Sequence, residues 1–536
     1  MMRYIAGTLI AFSSSILLAA PIKPPPAPPV PPSNTIQCDN IAESGKTELQ
    51  QRIFIGSEFA DSQCVLARNF VPAFSEGPEA TLSVDRQPES SDVVTVSIDR
   101  NEESAWLSEC FFPASEKRAL SAYHGRTREF VQDRHLIHRL CTGKAEPGTL
   151  NGYNFKVRLS RVPDSGERLI LASWKGMPDL YRHTMGGAYQ PSLWLKDQVN
   201  YVSVVAAGAT FETTGFDPLT LEIREGFLAL IARSDSSPLT TEDTCDFQSI
   251  SELEAGHSSE CGEQRQVTLV AKIPVEEVFN GTSGWVPMRI RVAWSKYQGL
   301  YPVSGRVQFF IDRQLKESWS GNIGRNDNIG PYLTIGAGGE NVTNPIEVSY
   351  QNLNVRHNIV GLNVNLIRNP SNYGRFDRSW KALTPARSRS LPAFLHNRVS
   401  WGDGGNGYFA TPYYTVSRVQ TIDLKDFFAS RRSNKPITLV VGEQFNKTYC
   451  GGDIYQLKVR LLDEGRNVIG EWGTGNRKVN GPCEWTDEEW LTVKHELPLE
   501  GKEPRYIEFI DGGRDKERWA GYYGSRMREA TVVLEN

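Results

Sequence analysis

Arg306-Val307-Gln308-Phe309-Phe310-Ile311-Asp312 decides the fold class. Val307, Phe309 and Ile311 fall on one side of an extended chain and most of the polar residues on the other, the period of two that a half-buried strand requires. Working outward, the same alternation recurs in Val93-Val94-Thr95-Val96-Ser97-Ile98 and in Arg289-Ile290-Arg291-Val292-Ala293-Trp294. Long helical periodicity is scarce. Short helices are expected near Thr47–Gln51 and Pro274–Phe279, and neither could form a domain core. With 46 Gly and 31 Pro punctuating short strands, the chain reads as all-β, and its 536 residues exceed what one core serves well. A sandwich or jelly roll is the natural architecture for residues 35–358. A second β pattern begins near Asn365, with strands expected at Pro436–Val441, Tyr455–Leu462, Trp490–Leu497, Arg505–Ile510 and Ala530–Leu534. Residues 359–536 therefore form a second expected domain, joined so closely that the two should touch.

Hydrophobic residues at 39%, charged residues at 23% and a net charge of −4 describe an ordinary globular chain without a global basic field. Nucleic acid and anionic membrane surfaces are not expected partners. Residues 1–20 read as a secretory signal peptide: Arg3, then an apolar run broken by Ser13, Ser14 and Ser15, then Ala19-Ala20. Residues 21–34 are a Pro-rich linker with eight prolines between 21 and 32, a stiff polyproline II spacer. No later stretch approaches the ~20 apolar residues of a spanning helix, so no membrane span is expected and the localisation reads as secreted. Eight cysteines fit that compartment. Pairing of sequence neighbours, Cys38–Cys64, Cys110–Cys141, Cys245–Cys261 and Cys450–Cys483, is the simplest of many connectivities. Sequons at Asn280, Asn341 and Asn446 agree with it.

Two stretches of the first domain resemble the heparin lyase family of polysaccharide lyases. Leu169-Ile170-Leu171-Ala172-Ser173-Trp174-Lys175-Gly176-Met177-Pro178-Asp179, with Gly186-Gly187-Ala188-Tyr189, looks like the family's Q-W-H-G-M-P-D strand and the segment after it. Ile323-Gly324-Arg325-Asn326-Asp327-Asn328-Ile329-Gly330-Pro331-Tyr332-Leu333-Thr334-Ile335-Gly336 is similar to its I-G-R-N-D segment. The resemblance implies a jelly roll that once cleaved acidic polysaccharide by β-elimination, a reaction needing a base, an acid and a cation beside the uronate carboxylate. Here the family's His, Lys and Tyr positions are Lys175, Thr334 and Gly338, and the Gln before the Trp is Ser173. Gly338 transfers no proton, and a free lysine, with a pKa of about 10.4, does not replace an imidazole. Lys175 is open between a solvated lysine and a groove cation that holds an acidic sugar. His183 is a groove candidate read more readily as structural. Asn326 and Asp327 match calcium-binding positions of the family, and calcium is the only cofactor implied; Met185 stands where the family has a carboxylate, and an Asn-Asp turn is the other reading.

The carboxy-terminal domain resembles the F-box-associated domain, a β-sandwich related to galactose-binding modules. Asn365-Leu366-Ile367-Arg368-Asn369-Pro370 looks like its opening, followed by Trp380, Phe409-Ala410-Thr411, Gln420-Thr421-Ile422-Asp423-Leu424, Gly512-Gly513-Arg514-Asp515 and Trp519-Ala520-Gly521-Tyr522-Tyr523-Gly524. Some members of that family bind the inner chitobiose of N-linked glycans through an adjacent Tyr-Trp-Lys, which reads here Arg518, Trp519 and Ala520. An aromatic face suits the C–H face of a pyranose. Trp519 is open between sugar platform and core residue; Arg518 and Tyr522 are its candidate neighbours. No F-box is evident in the sequence, so a ubiquitin-ligase partner is not expected. The resemblances together imply a carbohydrate-binding pseudo-lyase whose partner is an acidic polysaccharide or a glycoprotein glycan. An active lyase and an extracellular protein-binding module are the alternatives.

Overall fold

The computed structural model describes residues 47–50, 70–76, 81–85, 93–99, 104–109, 145–175, 217–236, 247, 249–255, 265–279, 284–325, 331–371, 380–383, 402–403, 408–430, 435–447, 453–479, 490–516 and 524–536. Within them the chain is all-β and its sheets stay open.

Sheet I runs, in hydrogen-bonded order, Thr47–Gln50, Thr81–Asp85, Val93–Ile98, Ile346–Ile359, Leu150–Leu159, Val286–Ala293, Gly305–Ile311 and Gln314–Gly321. Sheet II runs Arg265–Pro274, Phe227–Asp235, Leu219–Arg224, Arg168–Lys175, Tyr332–Glu340, Ser104–Glu109 and Phe70–Glu76, with Gly324–Arg325 added parallel to Phe227–Asp235. The two sheets form a jelly-roll sandwich over one core, in which Val307 and Phe309 are 0% exposed. Burying each such side chain stabilises by about 1.5–3 kcal/mol. Alternation thus places the strand that opened the sequence reading as expected.

Sheet III, Lys381–Ala382, Val416–Asp423, Tyr506–Arg514, Ile454–Leu462 and Val468–Gly473, faces sheet IV, Gly402–Asp403, Phe409–Ala410, Arg526–Glu535, Thr438–Asn446 and Leu491–Pro498. The Asn-Leu-Ile-Arg-Asn-Pro stretch explains itself here. Asn365 is buried: its Nδ2 donates to the Ala530 carbonyl (2.9 Å), and its Oδ1 accepts the amides of Ile367 (3.2 Å) and Val532 (3.0 Å). The Asn365 side chain, with the amides of Leu366 and Asn363 donating to the Val532 and Leu534 carbonyls (2.8 Å each), therefore satisfies the edge of Arg526–Glu535.

The same stretch touches the jelly roll. The Asn365 amide donates to the Gly148 carbonyl (2.8 Å) and the Asn369 amide to the Glu146 carboxylate (2.8 Å). Lys296 pairs with Glu529 and the Tyr301 hydroxyl with Glu535. Leu150 and Ala293 of sheet I are buried in one cluster with Val364, Leu366 and Ile367. Glu529 is in the left-handed region (φ 59°) where the ladder between Thr438–Asn446 and Arg526–Glu535 shifts register. The bulge re-aims its carboxylate.

One expected helix is a helix, Val275–Val278, but Thr47–Gln50 is a strand paired with Thr81–Asp85. Pairing with a neighbouring strand outweighs the local helix preference of so short a segment. The helices Ile250–Glu254, capped by the Ser249 hydroxyl, and Lys425–Ser430 were not anticipated.

Candidate functional site

Two places carry polar chemistry at the positions marked by the sequence. The first is the face of sheet II that turns away from the core. Leu219, Leu221, Ile223, Leu228, Leu230 and Trp174 join the core, so the residues between them point the other way. The ladder sets Thr334 opposite Ser173 and Ser173 opposite Thr220, making a polar row across three strands.

Every hydroxyl of that row is engaged within the protein. Thr334 Oγ1 donates to the Ser173 carbonyl (2.8 Å), and Ser173 Oγ donates to Asp217 Oδ2 (2.6 Å). Arg233 Nη1 donates to Thr220 Oγ1 (3.2 Å) and to the Asp217 carbonyl (3.3 Å). Phe247, with Ile250 and Leu253 of the short helix, packs on Ala229 and Ile231 of this same face, and the guanidinium groups of Arg224 and Arg233 lie over the Phe247 ring at 4.9 and 5.7 Å. Thr334 is 0% exposed. A buried threonine whose hydroxyl is already bonded does not serve a sugar carboxylate, and Gly338, a buried strand residue, offers no side chain. Lys175 ends its strand opposite Tyr332, with its side chain outside the described residues; His183 lies outside them too. So do Asn326 and Asp327. Among the described residues no group of three or more His, Cys, Asp or Glu is arranged to hold a metal ion.

The second place is one end of the sheet III–sheet IV sandwich. Arg518, Trp519 and Tyr522 lie outside the described residues, but the residues that flank them do not. The Asp515 amide donates to the Pro412 carbonyl (2.9 Å), the Gly524 amide to the Thr411 carbonyl (2.9 Å) and the Thr411 amide to the Ser525 carbonyl (3.0 Å). A Cβ on Gly524 would collide with Thr411 Oγ1 and the Asp515 amide, so only glycine permits this approach. Asp515 and Gly524, the described residues that bracket Trp519 in the chain, therefore bond to Thr411 and Pro412, which lead into Tyr413 and Tyr414. Their rings are edge to face (centroids 5.3 Å, 83°), and Tyr414 is 48% exposed. Two aromatic rings at the surface are suited to stacking on a pyranose.

The sequence reading passed over Tyr413, Tyr414, Thr411, Asp217 and Arg233. An adjacent Tyr-Tyr pair after Pro412 was the available signal for the first two. All eight cysteines and Asn280 lie outside the described residues. Asn341 is exposed in a left-handed turn (φ 57°). Asn446 is buried, 7% exposed, with its side-chain oxygen accepting the Lys447 amide (2.7 Å).

Comparison with known proteins agrees with the second place. Residues 360–534 match the family described as the F-box associated region. Bovine F-box only protein 2 is 28% identical over 130 residues, 24% of this chain and 43% of that protein. Bovine F-box only protein 6 is 27% identical over 184 residues (33% and 68%), and human F-box only protein 44 is 29% identical over 129 residues (24% and 49%). The chain thus spans less than half of the first of these relatives. Among solved structures, an endo-β-1,4-glucuronan lyase from Trichoderma reesei is similar over 52% of this chain and 87% of its own (9% identity, TM-score 0.29). The alginate lyase from Corynebacterium sp. is similar over 51% and 80% (9% identity, TM-score 0.24). Likenesses of that size are too low to carry an argument about this chain.

Proposed function

We propose that this protein is a secreted glycan-binding protein, in which the sheet III–sheet IV sandwich holds the sugar and the jelly roll is a lyase-like scaffold without lyase chemistry. The observation that carries the reading is the clamp of Asp515 and Gly524, which bracket Trp519 in the chain, on Thr411 and Pro412, next to the edge-to-face Tyr413–Tyr414 pair. The match of residues 360–534 to the F-box associated region supports a sugar-holding role for the same sandwich. Loss of elimination chemistry is supported by the bonded, buried hydroxyl of Thr334 and by Gly338. Secretion is supported by the apolar amino terminus, the eight cysteines and the sequons. The ligand is a polysaccharide or a glycoprotein glycan. Among the described residues no helix is long and apolar enough to cross a membrane.

Binding of the full chain to an array of N-glycans tests this. Wild type is expected to bind, and Tyr413→Ala and Trp519→Ala are each expected to lose binding with an unchanged unfolding midpoint. None of the three proteins should release unsaturated, ultraviolet-absorbing product from a uronate polymer. Wild-type binding that survives both substitutions would remove the proposed site, and robust product formation would restore the lyase.

A further inference from the structure

The outer face of sheet I is divided in two. At one end Leu150 and Ala293 are buried against Val364, Leu366 and Ile367 of the second sandwich. The rest of the face carries cations. Cross-strand register sets Arg356, Gly152, Arg291 and Gln308 in one row, and Asn354, Asn154, Arg289 and Phe310 in the next. Arg306 follows beyond, opposite Ala293, and Lys156 lies two residues along from Asn154. The four adjacent strands Ile346–Ile359, Leu150–Leu159, Val286–Ala293 and Gly305–Ile311 contain a single acidic residue, Glu347, which stands at the far end against Ser97.

No carboxylate among the described residues pairs with Arg289, Arg291, Arg306, Arg356 or Lys156. Arg289 bonds the Asn154 amide oxygen (2.8 Å), and Arg306 reaches only the Leu362 carbonyl (3.5 Å). Burial, then Arg289 and Arg306 as neighbours, pulls the pKa of Arg291 down from the ordinary arginine value. Like charges gathered on a face of a chain with net charge −4 are a local cost that an anionic ligand would relieve.

We infer that this face, through Arg289, Arg291, Arg306 and Arg356 with Lys156, binds a polyanionic polysaccharide. Strands about 4.8 Å apart and same-face residues about 6.8 Å apart along a strand spread the guanidinium groups over a plane, matching a flat linear polymer with an acidic group on successive sugars. Asn154, Asn354 and Gln308 interleave amides that suit hydroxyls, and Phe310, with Arg289 and Arg291 each 5.9 Å from its ring, offers an apolar surface. Leu315, the cross-strand partner of Phe310, is 51% exposed, but one leucine gives a bilayer little apolar surface, and no overall basic charge for nucleic acid accompanies the patch. The inference deepens the glycan-binding reading and rests on it for the choice of sugar, but the surface is separate from the Tyr413 loop.

The test uses the full chain with heparin and polyglucuronate as probes, dextran as the neutral control, and double-stranded DNA and phosphatidylserine vesicles as rivals. Wild type is expected to bind the two acidic polymers with an affinity that falls as salt rises. The triple variant Arg289→Ser, Arg291→Ser, Arg356→Ser is expected to bind at least about tenfold more weakly, the loss of one or more charge-assisted bonds. The triple lysine variant is expected to keep most of the binding. Equal binding by wild type and the serine variant, no binding to either acidic polymer, or preference for DNA or vesicles through the same arginines would each overturn the inference. Loss of binding in Tyr413→Ala with the serine variant unaffected would instead leave the loop site as the sole sugar site.

Discussion

The two sandwiches hold two of their buried carboxylate clusters in different ways. In the jelly roll, where Glu222 pairs with Arg168 along sheet II, Glu167 sits at the rim and ties loops together. Glu167 is 3% exposed and accepts from Arg161 (2.6 Å), from the amides of Asp164 (2.8 Å) and Thr343 (2.7 Å), and from the Thr343 hydroxyl (3.0 Å), joining the loop after Leu150–Leu159 to the one before Ile346–Ile359. In the second sandwich the charge lies between the sheets. Arg418 and Asp511 are register partners in sheet III, Glu443 faces them from sheet IV, and all three are 0% exposed. Arg418 Nε bonds Asp511 at 2.8 Å and Nη2 at 2.7 Å, while the rings of Trp380 and Phe409 lie 3.6 and 3.5 Å from its guanidinium carbon. Burial, and Asp511 beside it, pushes the Glu443 carboxyl well above the ordinary range. The shift favours the neutral form of Glu443, which lessens the negative charge that Arg418 has to balance. A rim pair acts through hydrogen bonds it keeps in partial contact with water, whereas a central pair is tolerated only because rings and a forked bond replace that water.

The largest way to break this contrast is Arg418→Ala, which strands Asp511 between the sheets and is expected to cost about 3–5 kcal/mol in denaturant unfolding. A loss no bigger than that of an ordinary surface substitution would show that the triad is not a core element.

Next comes Glu167→Gln. Arg161 and the surrounding donors pull the Glu167 carboxyl down to about 2, against an ordinary 4.5. A depressed pKa contributes stability that is present above the unfolded value and is lost as pH falls through the folded one. The variant should therefore be less stable than wild type by about 3 kcal/mol at pH 7, with the gap closing below pH 4.5 and nearly gone at about pH 2. Urea unfolding of both proteins across that range checks it. A gap independent of pH would mean that shape, not charge, is what Glu167 supplies.

The smallest expected effect sharpens the account of the jelly-roll face. Thr334→Val removes one buried hydroxyl bond to a backbone carbonyl and should cost about 1 kcal/mol, leaving glycan binding unchanged. A fall in glycan binding without a fall in stability would return that face to function.

Much of this was legible in the sequence because alternation is a local property. The strands at 93–98, 289–294 and 306–312 follow from side chains that must choose one face of a sheet, and the resemblance to the F-box-associated domain located the second sandwich from separate motifs. What failed was also local. Thr47–Gln50 is too short for propensity to decide, and its partner strand decided instead. Arg418 occupies the inward position of Val416–Asp423 together with Gln420, where alternation alone would read a charged residue as solvent-facing. No spacing in the chain announces that Asp511, Glu443, Trp380 and Phe409 close around it. The same holds for Arg289, Arg291, Arg306 and Arg356, which lie on three strands and read singly as ordinary surface charges.

The sequence by itself determined the all-β class and the two-sandwich order, because each depends on residue type and near neighbours. Only the tertiary structure decided that the Thr334 hydroxyl is bonded to a strand carbonyl, that Gly524 and Asp515 bond to Thr411 and Pro412 next to Tyr413, and that the arginines share one face. Those facts depend on strand register and sheet pairing, which bring residues far apart in the chain within a few ångströms and are set by the burial of the whole core.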